Sequence, residues 1–329
     1  MNPLEPRQIG TTDIQVTPMG FGGAPLGGLF TPVGAENAVA TVRHGYELGI
    51  RFFDTAPLYG RGKSERFYGR ALSEFDRDSY ILSSKVGRVL DPNDAATDED
   101  DIYVELPPYD VVFDFSRDGV LRSIEDSLER LGLDRLDIAL IHDPDDHWEQ
   151  AITEAYPTLA ELRSQGVVGA IGAGMNQWEM PARFAREGDF DCFLLAGRYT
   201  LLDHSGLEEL LPLCEEKSVS IILGGPYNSG VLASDLGPDT TYFYERTPPE
   251  VLETARRIKA VCDRHEVPLK AAALQFGLAH PAVAATIPGP RVPEEVSENV
   301  AMASLDIPAD LWAELKSEAL IPAEAPTPA

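Results

Sequence analysis

The sequence predicts an α/β fold, a (β/α)8 TIM barrel with an N-terminal β-hairpin and extended loops at its C-terminal face. Three observations carry this expectation. Eight short apolar runs recur along the chain, each bounded by Gly, Asp or Pro, as buried parallel strands tend to be. Amphipathic stretches with helical spacing lie between them. The pattern occupies nearly all of the 329 residues. Eight strands alternating with helices over roughly 250–300 residues is the size of such a barrel.

Taken in order, residues 7–16 read as a small hairpin with a polar turn around 10–13, ahead of the first barrel strand. Strands are expected at 19–22, 51–53, 80–83, 136–141, 168–171, 192–195, 220–223 and 283–287. Helical patterns fall at 36–48, 119–130, 148–163, 206–216 and 249–265. The stretch 87–115 is long, acidic (DPNDAATDEDD) and without helical period, which predicts a loop at a strand's C-terminal end. A second such loop is expected at 224–248. Loops this long inside a compact domain are usually functional or disordered. Residues 1–320 read as one barrel domain, and 321–329, rich in Pro and Ala, as a flexible tail. The rival fold is a doubly wound nucleotide-binding sheet, whose marker is G-x-G-x-x-G after the first strand. Gly20 and Gly22 fit, but Pro25 stands at the third position, so the rival fails on its own motif.

Composition narrows the function. Hydrophobic residues make up 43% of the chain, enough for a core of ordinary size. The 54 acidic residues against 27 basic ones give a net charge of −27. Such a field repels a phosphate backbone, which argues against nucleic acid as a partner. No apolar run reaches about eighteen residues, so no membrane span is expected. Residues 1–10 lack the basic-then-apolar pattern of a secretory signal. The cysteines Cys192, Cys214 and Cys262 are odd in number and widely spaced. They form neither a disulfide framework nor a CxxC site and point to a reducing, cytoplasmic setting. Nothing in the sequence selects an oligomeric state.

The chemistry gathers at strand ends, which line the active site in a barrel of this kind. Asp54, Lys85, His142 and Asn176 occupy four of them, and Tyr59 follows Asp54 by five residues. Singly, each has an ordinary reading: an Asp that caps a turn, a Lys or His on a surface loop. Together, at the ends of successive strands, they suggest one catalytic cavity. A cation within roughly 4–6 Å of a phenol stabilises the phenolate, so Lys85 is expected to lower the Tyr59 pKa and make it a usable acid or base. Asp54 would hold Lys85, and His142 would hydrogen-bond the reacting oxygen. Tyr59 and His142 thereby touch the substrate. The run HDPDDH (142–147) superficially resembles a metal cluster. Consecutive loop residues rarely converge on one ion, so no metal is expected.

The segments FFDTAPLYG (52–60), ILSSKVG (81–87), DIALIHDPD (137–145), VGAIGAGMNQ (168–177) and IPGPRVPEEVSENV (287–300) resemble the aldo-keto reductase family. With the opening TPMGFGGAPLGG, the similarity runs from about residue 7 to 319. The spacing of Asp54, Tyr59, Lys85 and His142 matches that family's catalytic tetrad. The resemblance implies a (β/α)8 barrel, a nicotinamide cofactor extended across the strand ends, and Tyr59 as the proton-transferring residue. It implies cofactor contacts at Gly23, Ala24, Asp54, Asn176, Gly225, Pro226, Tyr227, Ser229, Gly289, Arg291, Glu295, Glu298 and Asn299. Asn176 would hold the nicotinamide carboxamide, and residues 287–299 would surround the adenosine half.

Three departures from the commoner family pattern stand out. Gly174-Met175-Asn176 replaces a Ser-Asn after strand five, and Ala196 replaces a Gln near the end of strand six. Gly224-Gly225-Pro226-Tyr227 stands where many members carry an aromatic that stacks on the nicotinamide. That stacking falls either to Tyr227 from another position or to no residue. The variants resemble the branch of L-fucose, L-galactose and D-threo-aldose dehydrogenases and pyridoxal 4-dehydrogenase. Where NADPH-using relatives often place an Arg, this chain has Glu295, a carboxylate that repels a 2′-phosphate. NAD is therefore the expected cofactor, with NADP possible because Arg291 is close by.

These expectations amount to NAD(P)-dependent oxidation of a cyclic hemiacetal, a small-molecule sugar or pyridoxal, to a lactone by hydride transfer. Two alternatives stand beside it: an NADPH-dependent aldehyde or ketone reductase, and a non-catalytic, cofactor-sensing regulatory subunit.

Overall fold

Eight parallel strands close into a barrel wrapped by helices in the computed structural model, which describes residues 2–328. The barrel strands are β1 (Phe21–Gly22), β2 (Phe52–Asp54), β3 (Ile81–Val86), β4 (Ile138–His142), β5 (Ala170–Met175), β6 (Cys192–Ala196), β7 (Ser220–Gly224) and β8 (Val283–Ile287). Each pairs in parallel with the next. β8 returns to the first strand through a parallel bridge between Met19 and Thr286. There the Gly20 N–H donates to the Thr286 carbonyl and the Gly22 N–H to the Pro288 carbonyl, both at 2.9 Å. All eight expected strands are present, several displaced by one or two residues.

The period of two along each strand decides what the barrel encloses. Phe52, Ile138, Leu140, Ala170, Cys192, Leu194 and Ile222 share the interior cluster. Their chain neighbours Phe53, Ala139, Ile141, Ile171, Phe193 and Leu195 pack outward in the helical shell. Continued one to three steps, the inward parity passes through Asp54, Lys85, His142, Asn176 and Ala196, all at the C-terminal ends. The other end is plugged by the expected hairpin, Arg7–Gln8 against Gln15–Val16, which inserts Ile9 and Val16 into the interior cluster. It is pinned there by the Gly10 N–H, which donates to Ser220 Oγ at 2.8 Å.

Helix ends follow from local chemistry. Arg117–Leu131 begins where Ser116 Oγ accepts the Gly119 N–H at 3.1 Å, and it stops at Gly132, φ 65°. Residues 148–164 are helical throughout, with a π turn at Ala151–Ala155. Pro157 follows that turn, and its ring would crowd the carbonyl four residues before it in a regular helix. The helix expected at 206–216 begins only at Leu210 (Leu210–Lys217), because the Gly206 N–H is committed to the Arg198 carbonyl in a turn.

The two long segments carry more structure than expected. The first holds an antiparallel ribbon, Arg88–Pro92 against Tyr109–Phe113, whose pairing spans the acidic tip and has no local signature. The second ends in a small hairpin, Thr241–Tyr242 against Glu245–Arg246. Both rise from C-terminal strand ends, where they roof the barrel mouth. The segment expected to be a flexible tail lies against the helical shell, with Ile321 and Ala325 buried. Its last residue, Ala329, lies outside the described residues, as does Met1.

Candidate active site

The inward parity of β2, β3 and β4 delivers three of the four expected catalytic side chains, and a tight turn delivers the fourth. After Asp54 the chain turns through residues 55–62. There the Tyr59 N–H donates to the Ala56 carbonyl at 3.1 Å and Gly60 sits at φ 63°. Gly27 packs so closely on this turn that a Cβ on it would lie 2.5 Å from the Gly60 nitrogen. Tyr59 is thereby folded back over the barrel mouth. On the opposite wall, a Cβ on Gly174 would lie 3.3 Å from Lys85 Cε, so β5 leaves room for the lysine stem.

Lys85 is buried and uses all three of its N–H bonds. They go to Asp54 Oδ2 at 2.8 Å, to the Thr55 carbonyl at 3.0 Å and to the Tyr59 phenol oxygen at 2.9 Å. Asp54 is completed by Ser83 Oγ, which donates to Oδ1 at 2.7 Å. His142 meets Tyr59 edge-on, with ring centroids 5.9 Å apart at 89°. Its pKa lies well below 6.5 through burial and the nearby charges of Arg88 and Lys85, so the imidazole is neutral. Its Nδ1 has no partner.

The Tyr59 pKa runs opposite to the sequence expectation. Burial, then the Asp54 carboxylate, push it well above 10. Lys85 does donate to the phenol oxygen, but its charge is matched by Asp54, and the desolvation that opposes a phenolate is invisible in sequence spacing. At neutral pH the group is a protonated phenol.

Beside the tetrad stands an ion pair that the sequence did not reveal. Arg88 Nη2 meets Asp143 Oδ2 at 2.8 Å, and that carboxylate also lies 3.6 Å from His142 Nε2. Asp143 is at φ 41°, and burial pushes its carboxyl up to about 6. The acidic run thus aims one carboxylate inward at an arginine. Among the described residues, no group of three metal-ligating side chains comes together.

Of the expected cofactor contacts, Asn176, Gly225 and Ser229 line one pocket with Ala196, Gly197, Asn228, Phe243 and Tyr244. Arg198 braces it, donating from Nε to the Asn176 carbonyl at 2.8 Å and stacking on the Phe243 ring at 3.8 Å. Asn228 is buried at φ 48°, and its Oδ1 has no partner. Tyr227 does not line this pocket: its hydroxyl donates to Asn299 Oδ1 at 2.7 Å, tying the residue to the helix Pro293–Ser304. Pro226 is buried beneath the same loop.

Gly23 and Ala24 follow β1, and the Gly23 N–H donates to the Asp54 carbonyl at 2.8 Å. Pro25 packs on Gly289. Glu295 accepts the Arg291 N–H at 2.7 Å, while the Arg291 guanidinium donates to two neutral oxygens, Leu29 O and Thr31 Oγ. Glu298 is engaged by Lys270 at 2.7 Å. Sequence reasoning missed Arg88, Asp143, Arg198, Asn228, Phe243 and Tyr244. Each is placed by contacts between segments far apart in the chain.

The model of the Aldo/keto reductase family matches residues 18–319. A pyridoxal 4-dehydrogenase of Microbacterium luteolum is 38% identical, over 96% of this chain and 98% of its own. A D-threo-aldose 1-dehydrogenase of a Pseudomonas species is 39% identical, over 94% and 96%. Among solved structures, the holo form of an aldo-keto reductase from Bacillus halodurans superposes with a TM-score of 0.77. It shares 25% identity and covers 98% of both chains.

Proposed function

The chain belongs to the Aldo/keto reductase family, and on that premise we propose that it oxidises a cyclic hemiacetal to the lactone, with NAD as hydride acceptor. The hemiacetal is that of an aldose or of pyridoxal. The observation that carries the proposal is Lys85 bonded to Asp54 and Tyr59 together at the barrel mouth. The assembled tetrad and the dehydrogenase relatives remove the regulatory-subunit alternative: this chain is an oxidoreductase.

The pocket fits a nicotinamide on a test internal to this structure. A buried carbonyl oxygen without a partner is costly, and Asn228 Oδ1 is one. Asn228 lines the same pocket as Asn176, so the carboxamide N–H of a nicotinamide bound there would be a donor for it. When bound, the nicotinamide supplies the site that accepts the hydride.

The protein's own residues do the rest. His142, neutral, hydrogen-bonds the reacting oxygen and places it against Tyr59. In the form of the enzyme with Tyr59 deprotonated, the hydroxyl proton passes to the phenolate oxygen while the C–H electron pair would leave as hydride to the nicotinamide. Lactone and reduced nicotinamide result, and the Tyr59 phenol then releases H⁺ to solvent. Lys85 donates to that oxygen and favours the form able to take the proton. Asp54 holds Lys85 in line. For the cofactor, Glu295 would hold a carboxylate beside the adenosine half, which would favour the ribose hydroxyl of NAD over a 2′-phosphate.

A second reading, NADPH-dependent reduction of an aldehyde, draws support from the Tyr59 pKa. A phenol held protonated is set to donate a proton. Initial rates of a panel of aldoses and pyridoxal with NAD, set against short aldehydes with NADPH, test the two. Reduced nicotinamide formed from NAD and the ring substrates is the expected result. Turnover confined to NADPH and aldehydes overturns the proposal.

A further inference from the structure

The hairpin that ends the loop after β7 is built against the preference of its backbone. Thr241 pairs with Arg246 and Tyr242 with Glu245, leaving Phe243 and Tyr244 as a two-residue turn. Both sit at positive φ, 48° and 66°. A two-residue hairpin with both central residues in that region ordinarily uses Asn-Gly, because a side chain there crowds its own backbone. Bulky aromatics in such a conformation persist only where the surroundings impose it, and they cluster at functional sites.

Across the barrel mouth stands a third case, Phe30, at φ 61°. These three are the only aromatic residues at positive φ among the described residues. All three converge on one place. Phe243 is clamped under the Arg198 guanidinium at 3.8 Å, over Gly197, where a Cβ would come within 3.1 Å of its ring. Ser229 fixes the turn from below, accepting the Thr241 hydroxyl at its carbonyl at 2.6 Å and the Tyr244 N–H at its Oγ at 3.2 Å. Tyr244 then faces Phe30, ring centroids 6.3 Å apart at 48°. It lies close enough to Tyr59 to act on its ionisation, and Asp143 and Lys85 act in turn on its own. Phe30 is 36% exposed and Tyr244 41% exposed, an unusual state for large side chains held by strained backbone.

We propose that Tyr244 and Phe30 form an aromatic wall above Tyr59 that selects ring-shaped substrates, with Phe243 as its positioning residue. The apolar C–H face of a pyranose, or the flat face of a pyridine, stacks on aromatic rings, whereas a short open-chain aldehyde offers no such face. The inference rests on the hemiacetal reading above and deepens it: the wall chooses the ring, and the tetrad acts on its anomeric carbon. The strain is the second half of the argument. If the two aromatics served the fold, smaller residues suited to positive φ would weaken it. If they serve the substrate, such residues preserve the fold and degrade selection.

The test compares wild type with Tyr244→Gly and Phe30→Asn, which suit the backbone, and Tyr244→Phe, which keeps the ring. KM and kcat are measured for a pyranose or pyridoxal with NAD, and for glyceraldehyde with reduced nicotinamide. Melting temperature and the dissociation constant of NADH are measured alongside. Tyr244→Gly and Phe30→Asn should raise the ring-substrate KM about tenfold relative to that for glyceraldehyde. Both should leave the melting temperature intact. Phe30→Asn, which lies outside the nicotinamide pocket, should leave NADH affinity intact as well, and Tyr244→Phe should keep the wild-type preference. An unchanged ratio, an equal loss on both substrates, or a fall in melting temperature matching the loss overturns the wall. A wild type that turns over glyceraldehyde but no ring substrate instead overturns the hemiacetal reading, and the wall with it.

Discussion

Lys85 donates to the Tyr59 oxygen at 2.9 Å while donating to Asp54 at 2.8 Å, so the phenol faces an ammonium whose charge is already matched. This arrangement gives Tyr59 a hydrogen-bond donor without a net cation. In the proposed mechanism its oxygen is the atom that exchanges a proton with substrate. Tyr59→Phe should therefore lower turnover by about a hundredfold or more, the scale of losing general acid–base catalysis. NADH should bind as before, measured by fluorescence quenching, because the ring is retained. Near-normal turnover would place the proton transfer elsewhere.

The pH dependence of oxidation follows from the same contacts. The proton acceptor must be unprotonated, and burial with Asp54 raises the Tyr59 pKa, so the rate should rise with pH through the alkaline range. Two variants should move that limb in opposite directions. Asp54→Asn removes the carboxylate that raises the pKa, shifting the limb to lower pH. Lys85→Met removes the N–H that stabilises the phenolate, shifting it to higher pH. Both profiles need chemistry to be rate-limiting, which a deuterated substrate checks. Shifts in the same direction would exclude this electrostatic account.

Asp143 supplies a prediction about stability. Its carboxyl is raised from 3.8 in the unfolded chain to about 6 in the folded one. A raised folded pKa means the native state binds the proton more tightly, so this contribution is complete below about 4. It is lost as pH rises through about 6. Asp143→Asn cannot titrate. Its stability relative to wild type should therefore climb between about pH 4 and pH 6, read as the difference between two melting-temperature profiles. The variant also leaves Arg88 without its partner, which shifts the whole difference but not its slope with pH. Parallel profiles would mean that Asp143 is not held in the raised state.

How much of the site was legible depended on which physics placed each residue. Asp54, Lys85, His142 and Asn176 continue a period of two to the end of apolar strands, and that period is written in the sequence. The burial that raises the Tyr59 pKa is not, since it comes from the ribbon and hairpin folded over the mouth. Arg88 reaches Asp143 across 55 residues of chain. An acidic run near a strand end thus reads as solvated surface although one member is half-buried against an arginine. Phe243 and Tyr244 left no turn signal because their turn lacks the Asn-Gly that such geometry favours. The closure of the barrel, by contrast, needed only the count of strands and the spacing between them.

The cofactor prediction concerns Glu295, at the first turn of the helix Pro293–Ser304. Its carboxylate accepts the Arg291 N–H at 2.7 Å, which fixes a negative charge where relatives that use NADPH often carry a cation. The Arg291 guanidinium is bonded to neutral oxygens, so it remains a cation available on the other side. Glu295→Arg removes the repulsion and adds a donor able to meet a phosphate. A charge-assisted hydrogen bond contributes about 1.5–3 kcal/mol, and at an exposed position the low end applies, so NADP affinity should rise by about tenfold. NAD affinity should change less, because a ribose hydroxyl gains little from a nearby charge. The variant also gives up the bond to the Arg291 N–H, a loss common to both cofactors that cancels in their ratio. Dissociation constants for NAD and NADP, measured by fluorescence quenching in wild type and variant, supply that ratio. A wild type that already binds NADP more tightly than NAD would show that Arg291 outweighs Glu295. Arg291→Ala should then lower NADP affinity selectively.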